Sequence, residues 1–143
     1  MDHDTYSDAF LRDILLGVRT IAIVGASPRP QRPSHGVMRY LQRHGYRTIP
    51  VNPFAAGGTI LGERCHGALD EIGEIIDMVD VFRRSEFAGA AVDEAIAIGA
   101  NIVWMQLAVV DNAAAARAEA KGLKVVMDRC PAIEIPRLGL ARG

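Results

Sequence analysis

The run IAIVGAS at residues 21–27 constrains this chain more than any other stretch. A β-branched apolar segment ends at Gly25 in a loop of small residues, and a helical pattern follows. A strand that is apolar at every position has to be covered on both faces, as parallel strands of an α/β sheet are. The tight turn after it leaves backbone N–H groups free to face an anion. The loop continues G-A-S-P-R-P, without the second glycine of the dinucleotide-binding spacing.

The rest of the chain repeats the same alternation. A first amphipathic helix is expected over residues 7–17, with Ser7 as N-cap, a stripe of Phe10, Leu11, Ile14 and Leu15, and Gly17 as the stop. Strands are expected over 20–24, 46–51, 77–82, 102–106 and 124–127. Helices are expected over 36–44, over 86–98 with Ser85 as cap, and from Asp111 to near Gly122. The glycine-rich stretch 54–67 reads as loop with a short edge strand at Ile60-Leu61, followed by a helical turn over 68–72. Residues beyond Pro131 read as a short tail containing Pro136. Strands separated by helices of about ten residues call for right-handed crossovers and a parallel sheet. The expected fold is α/β: a single Rossmann-like, doubly wound parallel sheet with helices on both faces, spanning residues 1–143 as one domain.

Bulk properties narrow the function classes. The formal net charge is −1, so no overall field attracts nucleic acid or an acidic membrane. Nearly all the basic residues are arginine, Lys121 and Lys124 being the exceptions, and arginine is well suited to binding phosphate. No apolar run approaches the roughly 20 residues that cross a bilayer. The start, MDHDTYSD, is acidic and polar, unlike a signal peptide. Cys65 and Cys130 have neither disulfide-framework nor metal-site spacing, nor do His3, His35, His44 and His66. A soluble, cytoplasmic protein is expected.

In a doubly wound sheet the ligand crevice lies at the C-terminal ends of the strands, where strand order reverses. The residues there are Gly25-Ala26-Ser27, Asn52-Pro53, Arg83-Arg84, Met105-Gln106 and Asp128-Arg129-Cys130-Pro131. The first loop suits a pyrophosphate, with Arg29 and Arg32 close by, while Pro28, Pro30 and Pro33 lack N–H groups and stiffen it. A nicotinamide site places Asp or Glu after the second strand, where this chain has Asn52-Pro53. Arg83 could reach a phosphate bidentately. Cys130 reads equally as a thiol near the ligand or as part of a buried turn, and Cys65-His66 reads as a polar loop. Asp77, Asp80, Glu71 and Glu74 read as solvent-side and cap positions. No nucleophile elbow, Walker A loop or acid–base pair appears.

Taken together, GASPRPQRPSHGVMRYL, VNP, VDVFRRSE, AIAIGA, WMQL and VVMDRCPAIEIPRL resemble the small stand-alone CoA-binding proteins. These are related to the CoA-binding N-terminal domain of the succinyl-CoA synthetase α-subunit. The resemblance covers residues 20–138 and implies a Rossmann-like fold of strand order 3-2-1-4-5-6, the short edge strand counted third. It implies coenzyme A as ligand, with Gly25, Ala26 and Ser27 at the pyrophosphate and Asn52 and Pro53 on the adenine-ribose side. Phe82 and Arg83 would border the nucleotide, with Met105, Gln106, Cys130 and Pro131 toward the pantetheine arm. Ligase relatives commonly carry Lys after the V-x-P turn, where this chain has Phe54, and Arg29 or Arg32 could compensate. The synthetase's phosphorylated histidine and second domain have no counterpart, so CoA binding is implied and ligase activity is not. The expected role is a non-catalytic sensor, carrier or auxiliary protein for CoA or an acyl-CoA, as a homo-oligomer or with a protein partner. The alternatives are a thiol-dependent enzyme using Cys130 with CoA, or a nicotinamide-dependent oxidoreductase, which the missing acid opposes.

Overall fold

The apolar runs become strands in the computed structural model, which describes residues 1–141. In chain order the elements are α1 Asp8–Gly17, β1 Thr20–Val24, α2 Pro33–Arg43, β2 Arg47–Val51, β3 Thr59–Ile60, β4 Glu63–Arg64, β5 Met78–Val81, α3 Ser85–Ala97, β6 Ile102–Met105, α4 Asn112–Ala120, β7 Lys124–Val126 and α5 Pro131–Arg137. A short 3-10 turn, Leu69–Glu71, precedes β5. Five strands form one parallel sheet in the order β2-β1-β5-β6-β7. The chain steps from β1 outward to β2 and then returns to the other side of β1. The switch point therefore lies between β1 and β5.

Alternate residues of each strand feed two cores. Ala22, Val24, Val79, Val81, Val103 and Met105 face one side, beneath the small-residue faces of α3 and α4. Ile21, Ile23, Met78, Ile102 and Trp104 face the other, beneath α1, α2 and α5. The expected α/β sheet with helices on both faces is what the chain forms. Ser7 caps α1 by accepting from the Phe10 N–H, and Asp111 caps α4 by accepting from Ala114. Among the described residues no helix is long and apolar enough to cross a membrane.

Four expectations need correction. The short edge strand does not join the sheet. Leu61 and Gly62 both have positive φ (50° and 82°), the geometry of a two-residue hairpin turn, so β3 folds back on β4. That hairpin meets the sheet edge through an isolated parallel bridge, Val51 to His66, which leaves the order 2-1-5-6-7. Secondly, α2 begins at Pro33 rather than Gly36, because proline is pre-shaped for the first helical position. The same device starts α5 at Pro131, in what reads as a tail. Thirdly, Ser85 is not a cap. Its hydroxyl accepts from the Val110 N–H at 2.9 Å and donates to the Ala108 carbonyl at 3.3 Å, tying two loops together.

The fourth correction concerns acids. Asp77 accepts from the Arg19 and Thr20 N–H groups, Glu71 from Gly67, and Glu74 grips Arg47, as befits surface and cap positions. Asp80 does not fit that pattern. It is 0 % exposed in the middle of β5, and burial holds its carboxyl well above the usual carboxylate range. Burial without a partner disfavours the charged carboxylate and so raises the affinity for a proton.

Gly25 is where β1 can end in no other residue. Its φ is +88°, and a Cβ built there would sit 2.5 Å from the Phe82 carbonyl oxygen. G25A should therefore lose about 3 kcal/mol in denaturant unfolding, whereas G36A, in open space within α2, should gain about 0.5–1 kcal/mol. Equal effects would show that the β1–β5 approach is not tight. Asp80 yields a pH prediction. Its folded-state affinity for a proton exceeds that of the unfolded chain, so its contribution is present below about pH 4 and is lost as pH rises toward the folded value. Melting temperature should fall with pH across this window less steeply in D80N than in the natural protein; parallel slopes would contradict the raised affinity.

Candidate functional site

The C-terminal ends of β1, β5 and β6 stop short beneath a cavity of about 920 Å³. Three loops make its wall, and hydrogen bonds to backbone fix each. The β1–α2 loop is anchored when Gly25 N–H donates to Val51 and the Val24 carbonyl accepts from Phe82. Ser27 Oγ turns the loop by accepting from the Arg29 N–H at 3.1 Å. Asn52, at the end of β2, donates its amide N–H to the Ala26 carbonyl at 2.8 Å, and its side-chain oxygen accepts from Phe54 at 2.9 Å. Asn52 thus holds the loops in place with both ends of its amide. The loop after β6 is braced by Ser85 and by Asp128, whose carboxylate accepts from the Ala108 N–H at 2.7 Å.

Two helices start at this cavity, and neither is capped by a side chain. Arg32 occupies the N-cap of α2 and Arg84 that of α3, without a side-chain cap hydrogen bond. The positive ends of both helix dipoles therefore face the site with no side-chain cap over them. Arg29, Arg32 and Arg83 surround the same space, and none has an ion pair among the described residues. Arg84 pairs with Glu86 at 3.6 Å. Cations at helix N-termini are electrostatically out of place unless an anion accompanies them. The opposite walls are apolar: Phe82, Leu107, Val109 and a 94 % exposed Phe54.

Of the residues singled out in the sequence, the fold brings Gly25, Ala26, Ser27, Arg29, Arg32, Asn52, Phe82, Arg83 and Gln106 together on this wall. Four lie elsewhere. Met105 points into the core under α3 and α4, because strand alternation turns it away from Gln106. Cys130 is 5 % exposed, at the N-cap of α5, with Pro131 buried beside it at the first helical position. Of the two readings of Cys130, the buried turn is the one formed. Pro53 is exposed at the turn and off the wall. Cys65 is not in a polar loop: it is buried, its Sγ donates to the Asn52 carbonyl at 3.6 Å, and burial pushes the thiol up.

Sequence reading did not place the lining residues Phe54, Ser34, Ser85, Leu107, Ala108 and Val109 in the site, although it named Phe54 and Ser85 for other reasons. Most sit one to four residues beyond a strand end, so a wider window at each strand terminus is the signal that would have found them. Gln106 is notable among those it did find. It is 6 % exposed, and its side-chain oxygen has no hydrogen-bond partner among the described residues.

Known proteins share this architecture. Residues 19–136 match the family described as the CoA binding domain. Over 124 residues the chain is 40% identical to the uncharacterized protein YneT of Bacillus subtilis, covering 87% of this chain and 90% of that one. A hypothetical protein from Pyrococcus horikoshii superposes with a TM-score of 0.89 at 37% identity, over 96% of each chain. At 19% identity the fold also matches part of the dinucleotide forming acetyl-coenzyme A synthetase 1 of Ca. Korarchaeum cryptofilum. That match has a TM-score of 0.63 over 74% of this chain and 25% of the other, a likeness of fold.

Proposed function

Because this chain belongs to the CoA binding domain family, we propose that it holds coenzyme A or an acyl-CoA in the cavity above the β1–β5 switch point, as a sensor, carrier or auxiliary protein. The observation that carries this reading is the charge arrangement at the cavity. Three arginines without carboxylate partners among the described residues stand around two helix N-termini that lack side-chain caps. Such a site is built for a multiply phosphorylated ligand.

The residues present fit coenzyme A in a definite order. The Gly25–Ser27 loop and the start of α2 offer N–H groups to the pyrophosphate, with Arg29 and Arg32 on its outer side. Half-buried Arg83 offers a bidentate contact to a phosphate. Phe54 stands where ligase relatives commonly have Lys, and it supplies a flat apolar face for adenine in place of a charge. From Asn52 on β2 to Gln106 on β6 the wall crosses three strand spacings, about 14 Å, long enough for an extended ligand whose uncharged arm reaches Gln106, Leu107 and Val109. Asn52 stands where a nicotinamide site has its ribose-binding acid, and its amide is engaged by Ala26 and Phe54. That favours CoA over NAD. With Cys130 off the cavity wall, no thiol stands ready for chemistry there.

Calorimetric titration of variants tests this assignment. R83A should weaken CoA binding by about 1–3 kcal/mol, the loss of a charge-assisted hydrogen bond; unchanged affinity would remove Arg83 from the site. F54A should cost about 1–3 kcal/mol toward CoA through lost stacking, and nothing toward 4′-phosphopantetheine, which has no base. Equal losses for both ligands would exclude Phe54 as the adenine platform.

A further inference from the structure

Asp80 plays no part in the binding surface just described, yet nothing in the fold explains why a carboxyl lies at the centre of β5. Neither of its oxygens has a hydrogen-bond partner among the described residues, and the same holds for Gln106 Oε1. The strand register connects the two. Asp80 lies opposite Trp104, Val81 opposite Met105, and the Gln106 N–H donates to the Val81 carbonyl. Side chains two apart share a face, so Asp80 lies in the row of Met78 and Phe82, and Gln106 continues the row of Ile102 and Trp104. Gln106 is thus on the adjacent strand, one pleat nearer the cavity than Asp80, on the face covered by α1, α2 and α5.

Two buried acceptors on one face, diagonal to each other across neighbouring strands, each call for a donor. The neighbours on this face offer few. The Trp104 indole N–H is committed to the Arg129 carbonyl at 2.9 Å, and Glu134 on α5 is bonded to Arg137. Thr48 lies beyond β1 and opposite Ile21, further from the cavity. On α2, which covers this face, His35 Nδ1 and Tyr40 Oη are likewise buried without a hydrogen-bond partner among the described residues, and Tyr6, Tyr46, Cys65 and Cys130 are further titratable groups of this layer. The register sets Asp80 on the strand next to Gln106, and as a carboxylic acid it carries an O–H as well as acceptor capacity.

We propose that Asp80 is a positioning residue for the cavity: its carboxyl O–H holds Gln106 Oε1, so that the Gln106 amide presents its N–H edge to an amide carbonyl in the ligand's arm. Gln106 then touches the ligand, and Asp80 acts through it. This rests on the CoA reading, since the pantetheine arm is what carries such carbonyls past β6.

The test uses D80N, D80L and Q106L, with CoA and adenosine 3′,5′-bisphosphate, which lacks the arm, as ligands. Q106L and D80L should each weaken CoA about tenfold and leave the bisphosphate unchanged, and the double variant should be no weaker than Q106L alone. D80N keeps an N–H donor and should stay within about twofold of the natural protein. Loss of both ligands together in D80L, or D80N behaving as D80L, would overturn the proposal. Nuclear magnetic resonance of the ligand-free protein decides the coupling without reference to CoA. The Asp80 carboxyl carbon should keep its protonated-acid shift to higher pH than the exposed carboxyls do, and the Gln106 side-chain amide signals should move in D80L but not in D80N. An Asp80 carboxyl that titrates with the exposed ones, or unmoved amide signals in D80L, would refute it even if CoA binds. A natural protein that ignores CoA while these signals behave as expected would instead refute the function proposed above.

Discussion

The close passage of Gly25 against the Phe82 carbonyl is the constraint on which the rest of the site depends. At that point β1 and β5 are near enough that a Cβ would stand 2.5 Å from an oxygen, and the positive φ turns the chain upward immediately afterward. Hydrogen bonds from Gly25 to Val51 and from Phe82 to Val24 fasten the turn on both sides. The loop's N–H groups, the start of α2 and the half-buried Arg83 consequently converge on one space. With any side chain at residue 25, the two strands would have to part and the cavity would lose its floor.

Around that floor the electrostatics are one-sided. Two helix dipoles and three guanidinium groups without an ion pair among the described residues point positive charge at the cavity, although the chain as a whole is close to neutral. That arrangement is costly without a ligand, and a bound phosphate would offset the cost. Scaffolding is delegated to residues that do not need to touch ligand. Asn52, Ser85 and Asp128 use their polar groups on backbone atoms of neighbouring loops, which leaves the arginines free.

Much of this was legible in the sequence because the signals were local. Uninterrupted apolar runs marked the strands, Ser7 and Asp111 marked helix starts, and Gly25 marked the turn. Seven of the residues read off the strand ends lie on one wall for the same reason: in a parallel sheet those ends are neighbours. What was not legible depends on depth and direction. Met105 and Gln106 are adjacent in sequence and face opposite ways, so only the pleat separates wall from core. Asp80 reads as a surface acid because residue type predicts exposure, although its place inside a strand of a sheet covered on both faces implied burial. Pro136 disguised α5, since proline usually ends a helix, yet here it occupies the last turn of a seven-residue helix already begun by Pro131. The β3–β4 hairpin was hidden because Leu61 adopts positive φ, which its residue type does not advertise.

The central claim is that the cavity is shaped and charged for coenzyme A in particular. Calorimetric titration of the natural protein, stripped of ligand, with CoA, dephospho-CoA, ADP and NAD tests it most directly. Saturable binding of CoA in the micromolar range, about −8 kcal/mol, weaker for dephospho-CoA and weakest for NAD, is the predicted result. An absence of CoA binding, or a preference for NAD, would contradict it.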